Sequence, residues 1–291
     1  MSLVSVVMSF HNARDTLANA VESMLWQSHS NWELLLLDDG STDGSREMAI
    51  LFDDSRIRLI SDTVCHGLPV RLNQGISLAR GEYIARMDAD DIAFPDRFAR
   101  QVAFLQDNPD VDLLATAALL ITKNNQPIGI LQTEMSHELI CRKSWQSFPM
   151  PHPTWMGRAD WFRANPYDER ANKVEDQALL YRSHRTAIFA GLPDVLLAYR
   201  YDNLSVRKTL LGRYHYLRTL AAYGESMHLF RGLTGHVLAA ARDLAAILFG
   251  FESQVIKSRV RTVDPAIIVQ WREMLEHLSG RIEQRNIAER F

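Results

Sequence analysis

Glu82-Tyr83-Ile84-Ala85-Arg86-Met87-Asp88-Ala89-Asp90-Asp91 decides how the chain is read. Its first half is an apolar, strand-like run, and its second half gathers three carboxylates directly behind that strand. Like charges this close repel, and a fold has little structural reason to collect them at a strand end. A hard divalent cation such as Mg²⁺ or Mn²⁺ reverses the sign of that interaction, because it takes oxygen ligands and draws carboxylates together. Mg²⁺ sites use one or two carboxylates and let substrate phosphates complete the shell. A solvated acidic turn is the plain alternative if the segment is taken alone.

Outward from this strand, the first half of the chain alternates strand and helix signals. Leu3 to Phe10 is a β-branched apolar run suited to a buried parallel strand. Asp15 to Trp26 places Leu17, Val21, Met24 and Leu25 at helical spacing. The pattern continues as strand at Trp32–Leu37, helix at Ser45–Phe52, strand at Ile57–Ile60, helix at Leu68–Ala79 and strand at Glu82–Met87. Helix over Phe94–Gln106 and strand over Val111–Thr122 follow. This order predicts an α/β fold: a mostly parallel sheet flanked by helices on both faces.

After Lys123 the pattern loosens. Phe148-Pro149-Met150-Pro151-His152-Pro153 cannot be helical, because each proline restricts its own φ and the residue before it. A short helix is expected at Glu175–His184 and a late strand at Val195–Tyr201. Helical periodicity dominates beyond Leu204, near 206–228, 234–250 and 264–288. The expected division is a main domain over residues 1–203 and a C-terminal helical region over 204–291.

Bulk properties exclude several classes. The formal net charge is -3 over 291 residues, which leaves no electrostatic footprint for nucleic acid. Cys65 and Cys141 match no zinc or CxxC spacing and read as free thiols of a reducing compartment. Met1-Ser2-Leu3-Val4 enters a strand pattern with no basic n-region, and no uncharged apolar run reaches membrane-span length. A cytoplasmic protein is expected, with any membrane contact peripheral.

Ligands of parallel α/β sheets collect outside the carboxyl ends of the strands. Three polar clusters fall there: Ser9-Phe10-His11-Asn12, Asp38-Asp39-Gly40-Ser41-Thr42-Asp43 and Asp88-Ala89-Asp90-Asp91. With these residues the sequence resembles the family 2 glycosyltransferases of GT-A (Rossmann-like) fold, over roughly residues 3 to 202. Val4-Ser5-Val6-Val7-Met8-Ser9-Phe10-His11-Asn12 looks like the family's opening strand and nucleotide loop, and the Asp38–Asp43 cluster like its second signature. Arg71-Leu72-Asn73-Gln74-Gly75 and Ala79-Arg80-Gly81-Glu82-Tyr83-Ile84 are similar to the segment leading into the metal motif. Asp88-Ala89-Asp90-Asp91 resembles the DxD element, and Glu175-Asp176 the acidic pair carrying the catalytic base.

The resemblance implies an inverting transfer of a sugar from a nucleotide-diphosphate donor, a UDP-sugar, to a hydroxyl of a saccharide or lipid-linked acceptor. It implies Asp176 as general base beside Glu175, and Asp90 as direct ligand of Mn²⁺ or Mg²⁺. Asp88 would bind ribose or a metal-bound water, while Asp91 would orient the metal shell or cap the next helix. Asp39 would accept the uracil N–H, against a turn-capping role common for Asp before Gly. Ser9 and Asn12 would contact nucleotide or shape the loop, and His11 stands where the family carries a base-stacking aromatic. Arg71 would reach base or diphosphate, against a solvated helix charge. His152 resembles a segment on the acceptor side, and Trp145, Trp155 or Trp161 could form a sugar platform there, although core packing is the commoner fate of tryptophan.

An opposing pair of effects bears on Asp176. The first turn of a helix favours its ionised form, whereas Glu175 and a donor diphosphate disfavour it. Competing readings are a nucleotidyltransferase and a non-catalytic sugar-nucleotide binder. The first would carry an early Gly-rich triphosphate loop, which Ser9 to Arg14 lacks. No GxGxxG or P-loop lysine motif is present, and the calcium-loop match at Asp39–Gly44 fails at Ile50, where a Glu is required. Gln270-Trp271-Arg272 does not fit the Gln-x-x-Arg-Trp motif of processive synthases, which points to single addition. The tail helices are open to packing, homodimer or membrane-surface roles, with packing favoured.

Overall fold

Val4–Phe10 forms strand β1 and is buried along both faces, as its Val, Met and Phe content requires of a strand with a neighbour on each side. The computed structural model describes residues 1–171, 173–201, 206–224 and 226–288. After β1 come α1 (Leu17–Leu25), β2 (Trp32–Asp39), α2 (Ser45–Ile50), β3 (Ile57–Asp62), α3 (Leu68–Leu78) and β4 (Tyr83–Asp88). The chain continues through β5 (Ile92–Ala93), α4 (Arg97–Asp107), β6 (Leu113–Ile121), β7 (Pro127–Leu131) and α5 (His137–Cys141). A 3₁₀ turn at His152–Thr154 leads to β8 (Met156–Arg158), α6 (Ala159–Ala164), α7 (Glu175–Ser183) and β9 (Phe189–Arg200). Helices α8 (Val206–Tyr223), α9 (Ser226–Leu248), α10 (Glu252–Lys257) and α11 (Pro265–Ala288) complete it.

The sheet runs β3-β2-β1-β4-β8-β6-β9-β5, with β7 paired to β6. Strands β3, β2, β1 and β4 are mutually parallel, and β6 is parallel to β9. Three short strands, β5, β7 and β8, pair antiparallel and make the sheet mixed rather than purely parallel. In-register pairing sets Ser9 beside both Leu37 and Asp88, so the polar ends of β1, β2 and β4 emerge on one rim. That register carries the site.

Alternate side chains feed two cores. Val7, Leu35 and Leu37 face α3, α6 and α7, whereas Val6, Met8, Leu34 and Leu36 face α1 and α4. Gly75 of α3 lies so close to β1 that a Cβ there would stand 2.4 Å from Val7 Cγ1, so only glycine lets this helix seat. The C-terminal helices join these layers at two separate places. Tyr216 and Leu220 of α8 enter the first core, while Trp271, Met274 and Leu278 of α11 build a third with Phe94 and Leu119. Arg281 of α11 donates to Glu22 of α1 at 2.7 Å, and His277 stacks on Trp26.

Candidate active site

A cleft of about 560 Å³ opens over the carboxyl ends of β1 and β4. Ser9, His11, Asn12, Asp43, Asp88, Asp90 and Arg200 contribute to its lining. Asn12 adopts a left-handed backbone (φ 53), a region its short amide tolerates. It binds the neighbouring loop twice, through its N–H to Ser41 Oγ (3.0 Å) and its Oδ1 from the Thr42 N–H (2.8 Å). His11 Nδ1 lies 2.9 Å from the Asp39 carbonyl oxygen. These bonds tie the loop after β1 to the loop after β2, and the wall of the cleft is their product.

Asp88, Asp90 and Asp91 offer carboxylate oxygens within 4.8 Å of one another. Burial, then the charge of Asp88, pushes Asp90 up to about 6, and the same causes raise buried Asp91 well above the usual carboxylate range. One Asp91 oxygen accepts the Arg200 N–H at 2.8 Å, and the other is buried without a partner. Hard oxygen donors that repel one another and leave a buried lone pair unmatched fit a divalent cation of the Mg²⁺ or Mn²⁺ type.

Asp39 sits at the end of β2, buried and fully bonded. Its carboxylate accepts from the N–H groups of His66 (2.8 Å) and Gly67 (2.9 Å), from Arg71 Nε (2.7 Å) and from the Cys65 thiol (3.1 Å). Burial pushes its pKa up, but these donors outweigh it and hold the group at about 2. Gly40 (φ +75) lets the turn after it pass Val64 and Cys65, where any Cβ would meet backbone at 3.0 Å. Arg71 is 2% exposed, so it is not a solvated helix charge. It anchors Asp39, Gln74 Oε1 and the Val64 carbonyl, so its influence on a ligand passes through Asp39.

Glu175 and Asp176 open α7, and Val174 caps that helix without a side-chain hydrogen bond. Burial, reinforced by the charge of Asp176, pushes Glu175 up to about 7. Asp176 is half-buried, accepts from Gln177 Nε2 at 3.3 Å, and is itself raised by burial. Desolvation therefore outweighs the helix dipole at this position. Arg86, buried in β4, exerts its positive charge on Asp90, Asp91, Glu175, Asp176 and Tyr167 together, which places the acidic pair in the same electrostatic neighbourhood as the DxD run.

The acceptor-side candidates are corrected. Trp155 is fully buried, donates from Nε1 to the Met150 carbonyl (3.2 Å) and packs edge-on against His152, so it offers no face to a sugar. His152 is buried too, with Nε2 2.8 Å from the Tyr167 hydroxyl. Burial and Arg86 push its pKa well below the ordinary histidine value, so it is a neutral structural partner under the site.

Three residues escaped the sequence reading. Arg86 had a usable signal, a cation inside an apolar strand two positions before Asp88. Arg200 had none: it ends β9, donates to the Asp90 carbonyl (2.8 Å) and to the Thr122 and Lys123 carbonyls, and so fixes the acidic loop from across the sheet. The side-chain amide of Asn73 holds the Tyr167 backbone, donating from Nδ2 to its carbonyl (3.0 Å) and accepting its N–H at Oδ1 (2.9 Å).

A parallel β-α-β half ending in a DxD run, joined to a second acidic pair on a mixed-sheet half, is the GT-A arrangement. The profile of glycosyl transferase family 2 matches residues 5–165, more than half of the chain, and the chain belongs to that family. EpsE of Bacillus subtilis (strain 168) is 44% identical over 121 residues, covering 40% of this chain and 43% of EpsE. WfgD of Escherichia coli, a UDP-Glc:alpha-D-GlcNAc-diphosphoundecaprenol beta-1,3-glucosyltransferase, is 36% identical over 106 residues, 36% of this chain and 42% of WfgD. The matches thus span less than half the length of these two relatives. The crystal structure of S. aureus TarS 1-349 in complex with UDP superposes with a TM-score of 0.62 at 18% identity, covering 81% of this chain and 71% of that one, and shares the fold.

Proposed function

We propose that the chain transfers a sugar from a nucleotide-diphosphate sugar, a UDP-sugar, to a hydroxyl of a saccharide or lipid-linked acceptor with inversion at the anomeric carbon. The observation that carries this reading is the set of three mutually repelling carboxylates, Asp88, Asp90 and Asp91, on the rim of a nucleotide-sized cleft. Asp90 and Asp91, with Asp88, would hold Mn²⁺ or Mg²⁺, which when bound supplies charge stabilisation for the departing nucleoside diphosphate. Ser9, His11 and Asn12 bind and orient the nucleotide along the wall built by the loops after β1 and β2. Asp39, buried behind these loops, would accept a ring N–H of the base in place of one of its present donors.

Asp176 takes the proton of the attacking hydroxyl. It is the more accessible member of the acidic pair, and burial pushes Glu175 beside it up to about 7. Attack from the side opposite the diphosphate inverts the configuration. Arg86 and Arg200 hold the Asp88–Asp91 run in place, Arg86 through Asp88 and Arg200 through Asp91 and the Asp90 carbonyl. Membership of the family and the UDP-bound relative of like fold support the donor class.

The test is nucleotide release from a panel of UDP-, GDP- and dTDP-sugars with Mn²⁺, using Asp90→Ala and Asp176→Asn as controls. Release of UDP that both substitutions abolish is expected. Donor binding with no release in the presence of saccharide and lipid-linked acceptors would make the chain a binder instead. Consumption of UTP and a sugar 1-phosphate would make it a nucleotidyltransferase.

A further inference from the structure

Helix α9 is inside out. Its buried positions are Gly232, His236, Asp243 and Ala246, whereas its large apolar residues face solvent. Phe230 is 65% exposed, Val237 57%, Leu238 72%, Leu248 71% and Phe249 72%. Steps of three, four and seven place Phe230, Leu233, Val237, Leu244 and Leu248 on one stripe, about 27 Å long at the rise of an α-helix.

The inner face is packed against the fold. A Cβ at Gly232 would stand 2.3 Å from Leu220 Cδ1, so α9 packs tightly on α8 there. His236 meets the Tyr216 ring at 5.3 Å, and Asp243 is clasped by Arg213, Arg242 and Arg259. The apolar outer face has no such explanation among the described residues. A stripe of this size left in water marks a surface that something else covers.

Charge identifies what covers it. Residues 206–262 hold nine Lys and Arg against three Asp and Glu, while the rest of the chain holds 23 against 32. The basic excess is therefore confined to the segment that carries the stripe. Arg231 and Arg242, three helical turns apart, are both exposed along one edge of it, and Lys257, Arg259 and Arg261 follow, also exposed. A second copy of this chain would bring the same positive charges together, whereas an anionic bilayer would attract them. No described helix is long and apolar enough to cross a membrane. An apolar stripe edged by arginines and backed by a packed polar face lies along an interface.

We propose that α9 docks on an anionic lipid surface, with Phe230, Val237, Leu238, Leu248 and Phe249 entering the acyl boundary and Arg231, Lys257 and Arg261 meeting the headgroups. The docking stands whether or not the cleft transfers a sugar. It is tested by flotation of the full chain with two kinds of vesicle, phosphatidylcholine alone and phosphatidylcholine with roughly one-third phosphatidylglycerol. Binding to the anionic vesicles, weakened by salt and by Val237→Glu/Leu248→Glu by about tenfold or more, is the expected result. The milder pair Leu238→Ser/Phe249→Ser repeats the test if the glutamates perturb folding, with unchanged circular dichroism as the check. Absence of binding to either vesicle, or binding that neither pair of substitutions weakens, overturns the proposal. So does a dimer in solution that these substitutions break without any vesicle binding, which assigns the stripe to a second copy.

Discussion

Arg86 donates through Nη1 to Asp88 Oδ2 at 2.6 Å, two positions along the same face of β4. The pairing is buried at its cationic end, and the positive charge of Arg86 is felt by Asp90, Asp91, Glu175 and Asp176 alike. Burial alone would lower its basicity, but the carboxylates around it raise it instead. Arg86 is the counter-ion of the whole site.

Substituting Arg86→Met should therefore cost about 3–5 kcal/mol of stability, because it leaves several buried carboxylates unpaired. Urea unfolding followed with and without Mn²⁺ checks this. The cation should restore more stability to the variant than to the parent, since it becomes the remaining positive charge. A variant as stable as the parent in the absence of metal would refute the counter-ion role.

Asp90→Asn should act in opposite directions on activity and stability. Removing one of three repelling carboxylates raises the metal-free melting temperature by about 2–4 °C. The same change should lower nucleotide release by roughly 10²–10³-fold and remove the Mn²⁺-dependent rise in melting temperature. Paired melting curves and release assays read both effects, and a metal-dependent shift that survives the substitution would exclude Asp90 as a ligand.

The parallel half of the fold was legible because each strand there is a continuous apolar run ended by polar residues. Val4–Phe10, Trp32–Asp39 and Tyr83–Asp88 fall within two residues of their expected positions. The antiparallel additions β5, β7 and β8 were not legible. Ile92–Ala93 and Met156–Arg158 are two and three residues long and owe their conformation to partners distant in sequence. Strand β9 begins at Phe189, six residues before the expected Val195, since Gly191 and Pro193 obscure a run that β6 accommodates by shifting register near Thr116. In the site, the acids were readable and their supports were not. Asp88 and Asp176 stand in local motifs, whereas Arg200 reaches the acidic loop only through the sheet, and burial of Trp155 and His152 follows from packing.

The pH dependence should identify the base. A carboxylate whose pKa is raised by burial is active only when ionised, so turnover is lost as pH falls through that raised value. If Asp176 is the base, the acid limb lies above the ordinary aspartate range. Glu175→Gln then keeps activity within a few-fold and leaves an acid limb in place, since Asp176 remains to titrate. A limb centred near 7 that disappears in Glu175→Gln would transfer the role to Glu175.

Asp39 yields the last prediction. An ionised carboxylate offers about four acceptor positions, and four donors already occupy them. Two are backbone N–H groups and one is an arginine, none of which moves cheaply. The fourth, the Cys65 thiol, is the weakest donor of the set and sits at the longest distance, 3.1 Å. A nucleotide base that bonds Asp39 must displace this thiol. Cys65→Ala should then strengthen UDP binding a few-fold in calorimetric titration, and Asp39→Asn should weaken it by about tenfold or more. Bound UDP should also change the rate at which Cys65 reacts with a thiol reagent, because the thiol loses the carboxylate that now raises its pKa. Labelling kinetics and UDP affinity that are both indifferent to these changes would show that the base binds elsewhere and that Asp39 serves only to hold the loop of Cys65, His66 and Gly67.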